Sequence, residues 1–251
     1  MALLLMHGVP GLALVPAPTL TPRSPARVVR HPRLPVWPAW QGLVLGIAGQ
    51  VPGLRGVTDF LEDKFGGRVC PMSLDASDCD PFILLVHHRH AFRPLDFLRP
   101  LFSAIIMPEG FPAHPHRGFE TVTLAYQGEV EHADSAGNRG VIGAGDIQWM
   151  TAGRGIIHEE FHSTNFAKSG GTFEMVQLWV NLPKEHKMTA PRYQPIVAAE
   201  TPTVPLRAVA AGEACAADEE VGKVRLISGA LDGAVGPAKT FTPVSLWDVT
   251  L

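Results

Sequence analysis

The chain has 251 residues, 46% hydrophobic and 18% charged, which is enough for one large domain or two small ones with a substantial core. A net charge of −3 argues against a general nucleic-acid binder, which carries a basic excess; no apolar run reaches the roughly 18 residues of a membrane span. Cys70, Cys79 and Cys215 form an odd, sparse set, which argues against a disulfide scaffold and for a reducing compartment.

The first acidic residue is Asp59, while Arg23, Arg27, Arg30, Arg33 and Arg55 precede it and prolines are dense between Pro10 and Pro38. An acid-free, Arg-bearing start reads either as an organellar transit peptide or as a disordered leader without a role. A secretory signal fits worse, because no positive charge precedes the apolar residues and Pro10 and Pro16 interrupt them. Residues 1–55 are therefore set aside as a leader. Thr58 is placed to cap a short helix over Val57 to Phe65, with Gly66-Gly67 as its stop.

From there the pattern predicts strands. Phe82 to His87 and Phe102 to Met107 are apolar runs, and Gly118 to Tyr126 is rich in Thr, Val and aromatics. Asp134 to Asn138 carries hairpin-tip chemistry. Gly143 to Asp146 and Gly153 to Gly155 are turns leading into Ile147 to Met150 and Ile156 to His158. Phe173 to Leu182 is apolar on both faces, as for a strand buried on both sides. Pro183 to Val204 reads as an excursion or linker, and Val209 to Val221 as a loop or weak helix. Lys223 to Ser228 and Thr240 to Leu251 read as strands. Short strands with Gly-rich turns between them predict an all-β antiparallel barrel or sandwich.

Two pairs within that pattern carry chemistry. His114-Pro-His116 places two imidazoles on one face of a strand about 7 Å apart, and His158-Glu-Glu160 does the same for an imidazole and a carboxylate. Converging inside a barrel, the pairs form a three-His, one-carboxylate site suited to Fe(II), Mn, Ni, Cu or Zn and not to Ca. His88-Arg-His90 has the same spacing and reads as the polar end of a strand. His158 to His162 also matches H-E-x-x-H, but that motif needs a helix. Gly153, Gly155, Ile156 and Ile157 favour turn and strand, where His162 would lie about 13 Å from His158. Phe119, Trp149 and Met150 read as barrel core or pocket lining. Arg117 and Arg154 read as surface residues or as guides for an anion.

The runs Gly110 to Thr123, Gly145 to His158 and Leu178 to Leu182 resemble, in order, the blocks of the pirin family of cupins. The resemblance implies two stacked β-barrels (double-stranded β-helices), the first holding one iron through His114, His116, His158 and Glu160. Glu120, at a position that ligates in other cupins, is then a supporting or structural residue, and Thr151 stands where other cupins have Pro. It implies a metal-binding barrel over residues 56–195. Residues 196–251 are then a linker and the incomplete start of a second barrel, most of which is absent. It also implies one of two functions. The first is quercetin 2,3-dioxygenase, with a flavonol-like aromatic substrate and Glu160 taking its hydroxyl proton. The second is a redox-sensitive, iron-dependent regulator that contacts a transcription factor. Neither implies direct contact with nucleic acid or membrane. The resemblance places the protein inside the cell, in cytoplasm or nucleus, with an organelle as the alternative that the leader suggests.

Overall fold

A computed structural model of the chain describes residues 2–7, 34–36, 47–58, 67–92, 110–207 and 220–251. Period-two alternation dominates it, as the β-branched and aromatic runs require. The chain divides into two compact units, Met1–Arg30 with Ala198–Leu251, and His31–Val197.

The His31–Val197 unit holds two antiparallel sheets. The larger contains β2 (Leu34–Val36), β3 (Gly67–Ser73), β4 (Phe82–Phe92), β6 (Phe119–Gln127), β9 (Ile147–Thr151), β11 (Gly171–Asn181) and β12 (Arg192–Ile196). Its order is β12-β9-β6-β11-β4-β3-β2. The smaller contains β5 (Gly110–His116), β7 (Val130–Asp134), β8 (Arg139–Ile142) and β10 (Ile156–His162), in the order β5-β10-β7-β8. Side chains from the two sheets meet in a shared interior. Ala125, Val130, Ile142, Phe166, Phe173 and Met175 pack one apolar cluster, and Met150, Ala152 and Ile156 another. Phe166 is delivered by a short helix, α1 (Thr164–Ser169), whose first turn is closed by the Ser163 hydroxyl accepting from the Phe166 N–H.

The second unit contains β1 (Ala2–His7), β13 (Thr203–Arg207), β14 (Glu220–Ser228) and β17 (Val244–Thr250), in the order β1-β17-β14-β13. A two-stranded ribbon of β15 (Ala230–Leu231) and β16 (Ala234–Val235) accompanies it. Val204, Val224, Leu226 and Trp247 form its core.

Several expectations change. Two pieces of the stretch set aside as a leader are strands: Ala2–His7 pairs with β17 over six residues, and Leu34–Val36 pairs with β3. Thr58 does not start a helix. It lies in a helical turn at 55–58, and its hydroxyl donates back to the Arg55 carbonyl. Residues 59–66, Phe102 to Met107 and most of Val209 to Val221 lie outside the described residues. The expected linker after Pro183 contains β12, paired with β9 over five residues. Its Arg-Tyr-Gln-Pro-Ile pattern hides it, and Pro195 is tolerated because β12 ends the sheet order. The strand with His88 and His90 runs on to Phe92, and His88 is buried edge-on to Phe173. Among the described residues no helix is long and apolar enough to cross a membrane.

The Gly153 turn shows how tightly β10 is launched. Gly153 has φ +52, and a Cβ there would collide with the backbone carbonyl oxygen of Thr189. Gly137, at φ +90 in the hairpin tip, would meet nothing within 4 Å. Gly153→Ala is therefore expected to lower stability by about 2–4 kcal/mol and Gly137→Ala by about 1 kcal/mol. Urea titration of both variants checks the difference.

Candidate metal centre

Strand β10 is the spine of the site. Its burial alternates, with Ile156, His158 and Glu160 inside and Ile157 exposed. On one side His158 pairs with His114 and Ile156 with His116; on the other His158 pairs with Asp134 and Glu160 with His132. Directly paired residues share a face. This register points His114, His116, His158, Glu160, His132 and Asp134 at one interior.

The His114 Nε2 lies 3.0 Å from the His116 Nε2 and 3.0 Å from the His158 Nε2. His114 Nδ1 lies 2.8 Å from the Pro112 carbonyl oxygen, which can only accept. The Nδ1 therefore carries the proton, and the Nε2 presents a bare lone pair to the other two rings. Two nitrogens about 2.1 Å from one ion and about 90° apart would be about 3.0 Å from each other, against about 3.4 Å at a tetrahedral angle. Both separations are thus within reach of one shared ion.

The four residues expected as ligands do not form one mutual group. His114, His116 and His158 form one triad of ligand atoms within 4.8 Å of one another, and His132, His158 and Glu160 form a second. His158 belongs to both. Glu160 is held by donors from the opposite sheet: Gln177 Nε2 at 2.9 Å, Thr123 Oγ1 at 3.3 Å and Gln148 Nε2 at 3.4 Å. The Trp179 indole N–H donates to Gln177 Oε1 at 3.0 Å, fixing that amide.

Aromatic rings line the His116 side. Phe119 and Trp179 stack with centroids 4.5 Å apart, and each meets His116 edge-on. Met150 lies on the site face of β9 with Gln148, whereas Trp149 does not. It pairs with Val122 on the opposite face, where Thr151 donates to Glu120 at 2.6 Å. Glu120 therefore lies on the face away from the site; burial raises its pKa, against a hydrogen bond from Thr151 and the charge of Arg192. His162 packs on Phe173 and Phe166, far from a helical H-E-x-x-H arrangement. Arg117 and Arg154 are exposed.

Residues 67–180 match the pirin family. This stretch is a pirin domain. A candidate quercetin 2,3-dioxygenase of Pseudomonas aeruginosa is 49% identical over 168 residues, 66% of this chain and 55% of that protein. Pirin-1 of Arabidopsis thaliana is 38% identical over 178 residues, 71% and 50% of the respective chains. A crystal structure of quercetin 2,3-dioxygenase from Acinetobacter baumannii superposes with a TM-score of 0.60 at 44% identity, covering 72% of this chain and 57% of that one. The chain spans about half the length of the curated relatives it matches.

Sequence reasoning misses His132, Asp134, Gln148, Gln177, Trp179 and Tyr193 as parts of the site. His132-Ala-Asp134 carries the same i, i+2 signal as the ligand pairs, but Asp134 reads as turn chemistry. It does serve the turn, accepting from the Ala136 and Asn138 N–H groups. Burial acts to raise the Asp134 pKa, but hydrogen bonds from Asn138, His132 and Ala136 outweigh it and leave it below the usual range.

Burial, then the nearby His114, pull the His116 pKa down from 6.5 to about 4. Burial, then His116, His114 and His132, pull His158 down to about 2. Both rings stay neutral in the folded metal-free protein while the unfolded chain takes up protons below pH 6.5. Their contribution to stability is therefore lost as pH falls. Buried Glu160, whose pKa is raised, acts in the opposite sense. Substituting His116→Gln isolates the first effect: between pH 6.5 and 4.5 the metal-free variant should lose less Tm than the wild type, as read by calorimetry.

His114→Ala and His158→Ala are each expected to abolish metal retention in elemental analysis. Glu159→Ala, which alternates away from Glu160, should retain it.

Proposed function

We propose that His114, His116 and His158, with Glu160 drawn in once the ion is bound, hold one divalent transition metal, Fe(II) first among Fe, Ni, Mn, Cu and Zn. On this reading the pirin domain opens the ring of a flavonol with dioxygen, as a quercetin 2,3-dioxygenase. The observation that carries this reading is the convergence of three imidazole Nε2 atoms, two of the separations being 3.0 Å, with the His114 Nε2 unprotonated between the other two. Both His116 and His158 resist protonation. A cation answers that geometry, and imidazole with carboxylate suits non-haem iron. The names of the Pseudomonas and Acinetobacter relatives support the choice of reaction.

When bound, the ion supplies Lewis-acid and redox chemistry toward dioxygen. The remaining work falls to the chain. Phe119 and Trp179 offer flat apolar surface to an aromatic substrate. Glu160 takes the flavonol hydroxyl proton, and its burial raises its affinity for that proton. Gln177, Thr123 and Gln148 hold the carboxylate so that its proton-accepting oxygen keeps a fixed direction.

Oxygen uptake and carbon monoxide release by metal-loaded protein given quercetin test the reading. Glu160→Gln should lower kcat by at least about 100-fold, the usual scale for removing a general base. Metal-loaded wild type that consumes no oxygen with any of the five metals would overturn the enzymatic reading. The regulator alternative rests on family resemblance alone.

A further inference from the structure

We infer that Asp134 and His132 are positioning residues that set which ring nitrogen of His158 is bare, and so decide whether the proposed metal centre can form. The inference rests on the metal-site reading but turns on different atoms. Asp134 is surrounded by donors: Oδ1 accepts from the Ala136 and Asn138 N–H groups, and Oδ2 from the Asn138 Nδ2. The remaining contact of Oδ2 is with His132 Nε2 at 3.3 Å, and both side chains are fully buried. An acceptor there requires the His132 proton on Nε2, which leaves His132 Nδ1 as an acceptor.

Two groups face that Nδ1. One is the Gln148 amide nitrogen at 3.2 Å. Its orientation is fixed twice, because Nε2 also donates to Glu160 Oε1 at 3.4 Å and the Tyr193 hydroxyl approaches Gln148 Oε1 at 3.5 Å. The other is His158 Nδ1 at 3.4 Å. With His132 Nδ1 accepting, His158 carries its proton on Nδ1. Its Nε2 is then the bare nitrogen, 3.0 Å from His114 Nε2. The Tyr193 ring stacks on His132 with centroids 4.9 Å apart and 15° between planes, holding the imidazole plane in place. The proton order therefore runs from a carboxylate at a hairpin turn, through one ring, to a second ring whose far nitrogen points at the proposed ion. Such outer hydrogen bonds set ligand tautomer and basicity.

Asp134→Asn tests the order directly. The Asn can keep its oxygen on the turn N–H groups, but it then turns an amide N–H toward His132 Nε2. His132 then moves its proton to Nδ1 as the Gln148 amide turns its oxygen toward that nitrogen, His158 Nδ1 is left as an acceptor, and His158 Nε2 becomes protonated. The readout is ¹⁵N NMR of the metal-free folded proteins, with Zn(II) and Fe(II) affinity measured by chelator competition. The wild type should show His158 protonated at Nδ1 and Asp134→Asn should show it at Nε2. Metal affinity should fall about 10–100-fold in Asp134→Asn and His132→Leu. His132→Asn, which restores an acceptor near the position of Nδ1, should recover most of it. If His132→Leu fails to fold, the Asp134→Asn and His132→Asn comparison carries the test. A wild type that binds no metal but shows the tautomer switch would sink the metal site and leave the proton order standing. A His158 tautomer unchanged in Asp134→Asn, or affinities equal to wild type in both Asp134→Asn and His132→Leu, would overturn the inference.

Discussion

Three imidazole Nε2 atoms drawn together by two paired strands are the contact around which the interior of the pirin domain is organised. The Pro112 carbonyl claims the Nδ1 proton of His114, leaving its Nε2 bare against two further Nε2 atoms. Strands β5 and β10 hold that contact by register. Their backbones pair His158 with His114 and Ile156 with His116, which sets the rings on one face within reach of each other. Apolar packing at Met150, Ala152 and Ile156 supports the launch of β10.

The division of labour between the sheets follows from the same geometry. The smaller sheet supplies all four histidines and Glu160, and the larger supplies the amides, hydroxyl and aromatic rings that hold them. Gln148 reaches both His132 and Glu160, while Gln177 and Thr123 hold the carboxylate. Buried polar groups are costly when unpaired, so a network of this kind is specific as well as stabilising.

Much of this is legible in the residues. The i, i+2 spacing of His114 and His116, and of His158 and Glu160, survives as shared strand faces because Gly153 and Gly155 fix where β10 begins. The antiparallel class and the hairpin at Asp134 are equally visible. What escapes is whatever depends on a partner far along the chain. Trp149 is adjacent in sequence to site residues yet faces away, because adjacency along a strand means opposite faces. β12 lacks an apolar signature of its own, and Tyr193 gains meaning only when β9 brings it over His132. The grouping of Glu160 with His132 rather than His114 depends on donors from β6, β9 and β11, which no local pattern announces.

Gly140 lies opposite His132 in the β7–β8 ladder, and a Cβ there would stand 3.1 Å from the Tyr193 hydroxyl oxygen. The vacancy of one missing methyl group is thus the seat in which the tyrosine rests. Bulk at position 140 would lever the phenol off the imidazole and disturb a ligand it never touches, altering the centre's chemistry through shape alone, with no change of charge.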